Sequence, residues 1–452
     1  MKLRVLNIVA SLFVAACTIT SCLDTEVIEV EYNTNASITG FSITDSIVTI
    51  IGTDTTAILG ADYPFIIDQN EGRIYNADSL PVGTDISKVV VDITADTYGI
   101  YIQAEKDSLW ESTDSLDFRR PVYFKVMSEM GTTGRTYKAE INVHQQDPDT
   151  LIWRKRTTGF DTNIKAQKAV YLNNNIYVFA EQESQVAMTS LDAYQGKTWT
   201  SLESLDIPVK ADYSSATTWK GQIYILAENE LYVSDNGLNW QKVETTQTFS
   251  RLLVGVSTGS NQKLIGVDTE NHYISSQDGI TWNRYASLPA DFPNKQIFTV
   301  CYPLSTNTDI NRIVLTGEKE ENPEASTVVW TQIDSENEWT DLVLEDNTLL
   351  RPQIENAMLI YYDNQLLTFG GVSKSNGTIV PFNEFIASKD NGITWENATE
   401  KMAFPVEFKD LYEQANGNYS CIVDDKQYIW MMWSQTGEVW RGRINKFGFK
   451  KQ

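Results

Sequence analysis

Ser234-Asp235-Asn236-Gly237-Leu238-Asn239-Trp240, Ser276-Gln277-Asp278-Gly279-Ile280-Thr281-Trp282 and Ser388-Lys389-Asp390-Asn391-Gly392-Ile393-Thr394-Trp395 are three copies of one turn. In each, Ser and Asp hydrogen-bond a tight loop, Gly takes positive φ, and Trp pins the following strand into a hydrophobic seam. A hairpin reused along a chain signals a propeller or solenoid, and here it governs about two thirds of the length. The motif names no ligand.

From residue 150 the chain is periodic. Six apolar segments, at 176–180, 223–227, 264–267, 313–316, 366–369 and 428–432, each read as the second strand of a unit. The turn tryptophans fall at Trp199, Trp240, Trp282, Trp339 and Trp395, with Trp199 and Trp339 in degenerate copies. That supplies one fourth strand too few. The missing strand is expected at the other end: Thr150-Leu151-Ile152-Trp153-Arg154-Lys155 reads as a fourth strand with no unit before it, and the last unit runs out after Val439-Trp440-Arg441-Gly442-Arg443. Pairing the two leaves no open edge. The expected fold over 150–452 is a six-bladed β-propeller closed by its N-terminal strand.

Residues 32–147 alternate with the period of half-buried strands at 47–51, 63–67, 89–93, 99–103, 122–126 and 137–143, which predicts a β-sandwich and an all-β chain. The opening Asn35-Ala36-Ser37-Ile38-Thr39-Gly40-Phe41 and the closing Tyr137-Lys138-Ala139-Glu140-Ile141-Asn142-Val143 resemble the immunoglobulin-like spacer modules of Bacteroidetes surface lipoproteins. Gln145-Gln146-Asp147-Pro148-Asp149 breaks the pattern and reads as the linker.

The N-terminus starts with Met1-Lys2-Leu3-Arg4, continues through an apolar stretch at 5–16, and reaches Ile19-Thr20-Ser21-Cys22. This resembles a bacterial lipoprotein signal. The resemblance implies a signal peptide over 1–21 and lipid on Cys22; Val14-Ala15-Ala16-Cys17 fits the same pattern and keeps Cys17 as the alternative. Asp24, Glu26, Glu29 and Glu31 make 22–31 an acidic tether that resembles Bacteroidetes surface-export signals, or else a simple solvated spacer. The expected partner is the membrane, through the lipid. The expected location is the outer membrane at the cell surface, with a periplasm-facing orientation as the alternative. Outside the signal only Cys301 and Cys421 remain, on innermost strands of non-adjacent blades, so free thiols are expected.

Lys and Arg total 36 against 60 Asp and Glu, a net charge of −24 with no basic run, which argues against nucleic acid as a partner. Gly370-Gly371 is similar to a kelch blade, but His144 and His272 are the only histidines, too few for a copper site on that scaffold. With no phosphate loop or nucleophile elbow either, no metal and no cofactor are expected.

The repeated turn resembles the Asp-box of sialidases and related propellers. That resemblance implies a bracing role at the outer rim for Ser234, Asp235, Gly237, Trp240, Ser276, Asp278, Gly279, Trp282, Ser388, Asp390, Gly392 and Trp395. Phe118-Arg119-Arg120-Pro121 is superficially like the sequence that precedes the first box in sialidases, but it lies in the sandwich and carries Arg120 where that family has isoleucine. No catalytic residue is assigned.

Connections between second and third strands carry acids: Glu181, Glu183, Glu228, Glu230, Asp268, Glu270, Glu318, Glu320, Glu321, Glu324, Glu384 and Glu438. Connections from one blade to the next carry aromatics: Phe160, Tyr213, Phe249, Phe292, Phe404, Phe408 and Tyr412. Rings stack on sugar faces and carboxylates accept hydroxyl hydrogen bonds, so Phe160, Tyr213, Glu228, Glu230, Phe249, Glu270 and Phe404 form the expected ligand face. The functional expectation is a non-enzymatic cell-envelope lipoprotein that binds a glycan or protein. The alternative is a glycoside-processing enzyme with its acids on that face.

Overall fold

The computed structural model describes residues 34–446 except 45, 52–53, 157–158, 162–163, 320, 322–326, 343–347, 374–381 and 383. The signal peptide, Cys17, Cys22, the acidic tether, Glu320 and Glu324 lie outside the described residues. The chain divides into two compact units between Asp147 and Pro148.

The N-terminal unit contains two main sheets. Ile38–Ile43, Val89–Ala95 and Ser115–Leu116 form one; Phe65–Asp68, Arg73–Asn76, Gly134–Glu140, Val122–Met127, Gly99–Ile102 and Ser108–Leu109 form the other, in that order. Alternate residues turn inward, so Ile38, Val89, Val91, Phe124, Val126, Tyr137 and Ala139 share one buried core. Arg73–Asn76 was not anticipated: four residues are too short to register as a period, and the strand is fixed by a parallel pairing with Lys138–Glu140 that only the tertiary fold supplies.

The C-terminal unit is built from six four-stranded antiparallel sheets, I to VI. Their first strands are Gln167–Leu172, Ala211–Trp219, Phe249–Val256, Lys295–Pro303, Met358–Tyr362 and Tyr419–Val423. Their second strands are Asn175–Glu181, Gln222–Ala227, Lys263–Asp268, Asn311–Glu318, Gln365–Phe369 and Ile429–Trp433, so each predicted apolar segment falls on a second strand, the last beginning one residue before it at Tyr428. Both faces of these strands are buried, which explains their unbroken apolar character. In sheet I, Ile176, Val178 and Ala180 pack against Trp430, Met432 and Val439 of sheet VI, while Tyr177 and Phe179 pack against Ile223 and Ile225 of sheet II. Four further clusters join II to III, III to IV, IV to V and V to VI. First strands also touch their neighbours in a closed cycle from I through VI and back to I. This is the arrangement of a β-propeller.

The fourth strand of sheet VI is Leu151–Lys155, antiparallel to Val439–Ile444 with Leu151 opposite Ile444 and Trp153 opposite Gly442. Cys301 and Cys421 lie on first strands of sheets IV and VI as free thiols, and burial pushes both well up, Cys301 to about 12. One helix, Glu407–Gln414, precedes sheet VI and buries Phe408, Leu411 and Tyr412. From sequence, Phe408 and Tyr412 are expected on a connection between blades, and the structure makes that connection helical. The i, i+3, i+4 spacing of these three residues behind Pro405 was the available signal.

Candidate functional site

The three repeated turns have one hydrogen-bond plan. In the second, Ser276 Oγ accepts the Gly279 amide at 2.8 Å and donates to Asp278 Oδ1 at 2.9 Å. Asp278 Oδ1 in turn accepts the amides of Ile280 (2.8 Å) and Thr281 (2.7 Å), which hold its carboxyl down at about 2. Gly279 has φ 82° and its carbonyl takes the Trp282 indole N–H at 3.0 Å. The third turn repeats this through Ser388, Asp390, Gly392 and Trp395, with Asn391 (φ 64°) as the extra residue.

The first turn corrects the sequence reading. Asn236, not Asp235, accepts the amides of Leu238 and Asn239, both at 3.0 Å, because the acceptor must stand two residues after the serine; Asp235 instead accepts from Gln222 Nε2 at 2.8 Å. Ser234, Gly237 and Trp240 keep their roles. In the degenerate copies the turn carbonyl is lost to the indole: the buried Nε1 atoms of Trp199 and Trp339 have no protein acceptor.

The ends of the second strands and the starts of the first strands lie together at one end of each sheet, as the pairings Lys168↔Phe179, Asp212↔Leu226, Phe249↔Asp268 and Lys295↔Glu318 require. The acids expected there are largely matched by cations. Glu181 pairs with Lys210 (3.1 Å), Glu183 with Lys165 (3.8 Å), Glu230 with Lys242 (2.7 Å), Glu438 with Lys155 (2.7 Å), and Glu270 with Arg284. Glu228 is exposed on a left-handed residue, φ 54°.

Two of the expected ligand-face aromatics are corrected to core. Phe160 is 2% exposed and its ring lies 5.0 Å from that of Trp199; Phe249 is 0% exposed and lies 4.8 Å from Trp282. Phe292 meets Trp339 in the same manner at 5.5 Å. In sheets I, III and IV the aromatic at the entry to the sheet thus plugs that sheet's turn tryptophan, which removes the ring from any ligand. Phe404 is half-buried among Phe385, Phe408 and Trp153, again a packing position.

What remains is a mixed cluster at the seam of sheets I and II. Lys168 Nζ donates to the Ser214 carbonyl at 2.6 Å; burial pulls the ammonium down to about 8, against the attraction of Asp212. Beside it Tyr213 is half-exposed, its hydroxyl pushed up by burial and by the charges of Glu181 and Asp212. A lysine so placed is partly neutral near pH 8 and is able to accept a proton or bond a ligand hydroxyl. The sequence reading passed over Lys168, because nothing in the sequence distinguishes it from a solvated lysine. On sheet III, Asp268 accepts the amides of Glu270 (2.9 Å) and His272 (2.8 Å) and pairs with Arg284 Nε at 2.7 Å, a braced loop that holds Glu270. A shallow recess between sheets IV and V is lined by Gln296, Phe298, Glu318, Arg351 and Asn356.

No curated protein matches the chain. Among solved structures it is similar to virginiamycin B lyase from Staphylococcus aureus at 12% identity, covering 65% of this chain and 99% of that one with a TM-score of 0.39. It is similar to a streptogramin B lyase at 12% identity, covering 78% and 95% with a TM-score of 0.36, and to YjhT at 10%, covering 63% and 94% with a TM-score of 0.39. At those values neither the chemistry nor the substrates of these proteins transfer. The family described as the DUF6242 beta propeller domain matches residues 147–452, and the DUF6242 N-terminal domain, a domain of unknown function, matches residues 30–141. Since the propeller match alone spans more than half of the chain, the protein belongs to the DUF6242 family, an N-terminal domain followed by a β-propeller.

Proposed function

We propose that this protein is a cell-envelope lipoprotein, anchored through Cys22, whose propeller presents a binding surface to a glycan or protein partner. The observation that carries the binding reading is the seam cluster of Lys168, Asp212, Tyr213 and Glu181, where a half-exposed ring, a cation and carboxylates meet on the loop face. The closed cycle of six sheets supports a six-bladed propeller, and the pairing of Leu151–Lys155 with Val439–Ile444 supports closure by the N-terminal strand. The two-sheet N-terminal unit is read as an immunoglobulin-like stalk over 32–147, ahead of a propeller over 150–452, and the repeated turns as Asp-boxes bracing the rim.

A glycan array probed with the soluble chain, with released reducing sugar assayed on every hit, separates binding from glycoside processing. Tyr213→Ala should lose the hit at least tenfold while the melting temperature holds; retention of full binding would remove the seam from the site. Metabolic labelling with an alkyne fatty acid tests the anchor: Cys22→Ala should lose the label, and full labelling of that variant would move the lipid to Cys17 or end the lipoprotein reading.

A further inference from the structure

The outer half of sheet VI carries a group of cations that neither the turns nor the loop face uses. Arg154 stands directly opposite Arg441, Ile152 opposite Arg443, and Trp430 opposite Arg441 on the other side. Cross-strand partners share a face and residues two apart return to it, so Arg154, Arg441, Arg443 and Trp430 project to the same side. Arg156 follows Arg154 by two. Its guanidinium lies 6.0 Å from the Trp430 ring; that of Arg441 lies 5.5 Å from Trp430 and 4.2 Å from Tyr428; that of Arg443 lies 4.4 Å from Tyr428.

Arg73, Arg119 and Arg284 take carboxylate partners. On this sheet four arginines gather instead around Tyr428 and Trp430. Acids elsewhere on the unit take lysine or arginine partners at 2.6 to 3.8 Å, but none of these four arginines has an ion pair among the described residues. Asp424, whose charge acts on Arg441, is committed: Oδ1 accepts the amides of Lys426 (2.9 Å) and Tyr428 (2.8 Å), and Oδ2 accepts the Trp430 indole N–H (2.9 Å). The Nε atoms of Arg156 and Arg443 are buried without a protein acceptor. Burial, together with the charges of Arg156 and Arg443, outweighs the pull of Asp424 and draws Arg441 below the usual arginine range. The rings of Tyr428 and Trp430 hold the cations in place and offset part of their repulsion, but a π face takes no N–H in the plane of the fork.

We propose that this face of sheet VI binds an oxyanion, a carboxylate, sulfate or phosphate group, between the guanidinium forks of Arg154, Arg156, Arg441 and Arg443. Planar forks donating paired N–H groups match the oxygens of such an anion, and Arg154 is exposed while the other three are half-buried, which leaves the site open to solvent. The net charge of −24 repels long polyanions, so the ligand is a single oxyanion, free or carried on a sugar, and not a nucleic acid. The site is independent of the loop face and of the lipid anchor.

The test is calorimetric titration of the soluble chain at low ionic strength with inorganic phosphate, sulfate and glucuronate, with glucose as the neutral control. Saturable binding of any of the three anions but not of glucose is expected, weakened about tenfold or more by Arg441→Gln and by Arg443→Gln. Lys220→Gln, which removes a cation lying over Trp219 on sheet II, should leave it unchanged. Preference for glucuronate would assign the anion to a glycan, and preference for phosphate or sulfate to a free ion; either supports the site. Should the variants at the half-buried Arg441 and Arg443 fail to fold, Arg154→Glu at the exposed position must still abolish binding. The proposal is overturned if the folded wild-type chain binds none of the three anions, or if the Arg441→Gln, Arg443→Gln double variant or Arg154→Glu keeps wild-type affinity; the arginines would then be packing for Tyr428 and Trp430 only.

Discussion

Gly442→Ala should destabilise the propeller through a residue nearly three hundred positions away in sequence. Gly442 sits opposite Trp153, and a Cβ added to it would meet the indole at 2.6 Å (Cδ2), 2.7 Å (Cε3) and 2.9 Å (Cε2). Gly442 is not among the positive-φ glycines, so backbone strain is not the cause; the conflict is steric alone. The indole has little room to yield, because Nε1 donates to the Ala403 carbonyl at 3.0 Å and the ring lies 4.9 Å from Phe408. Overpacking of this kind costs about 1–3 kcal/mol, and the fixed indole argues for the upper half of that range. Trp153→Ala alone should cost about 2–3 kcal/mol, below the usual figure for a buried tryptophan because the ring is half-buried. In that background the added methyl has space, so Gly442→Ala should cost close to nothing, giving a coupling of about 2 kcal/mol between the two ends of the propeller. Denaturant unfolding of the four proteins measures it, with scanning calorimetry to assign the transition to the propeller. A Gly442→Ala protein as stable as wild type, or an equal cost with and without Trp153, would refute the packing of Leu151–Lys155 against the last strand.

Deleting residues 150–157 should lower the propeller transition far more than deleting residues 23–145, because the first cut exposes the edge of Val439–Ile444 and the second removes a separate unit; equal transitions would contradict the pairing. In the first turn Asn236→Ala should cost about 1–2 kcal/mol and Asp235→Ala no more than about 0.5 kcal/mol, measured by the same unfolding experiment; the reverse order would restore Asp235 as the turn acceptor. Trp395→Ala should cost about 3–5 kcal/mol and Asp390→Ala about 1–2 kcal/mol, without loss of ligand affinity in protein that remains folded. Asp278 is held down at about 2, so its contribution is present above its unfolded value of about 4 and is lost as pH falls through about 2. Asp278→Asn should keep the turn, as Asn236 does in the first copy, and flatten that stretch of the stability profile; an unchanged acid limb would show that the carboxylate is not what titrates.

Local chemistry is legible in a sequence where the backbone itself imposes the requirement. Ser, Gly and Trp at fixed spacing specify the turn because only they supply its acceptor, its positive φ and its plug, and the two-residue period marks the strands because alternate side chains must leave the sheet on opposite faces. Apolar runs such as 223–227 are legible too, since burial on both faces leaves no place for a charged residue. Asn236 was misread only because amide and carboxylate oxygens accept the same hydrogen bonds. The fate of side chains on connections was decided elsewhere. Whether Phe160 and Phe249 face a ligand or plug a tryptophan depends on how the preceding connection is drawn across the sheet, and whether Glu230 or Glu438 is a free charge depends on a lysine brought from another strand. The arginine face of sheet VI is the extreme case, since Arg154 and Arg441 become neighbours only when the ends of the propeller pair. Sequence fixes what each residue is able to do within a few positions of itself, and charge and burial between distant strands exist only once tertiary packing has set the distances.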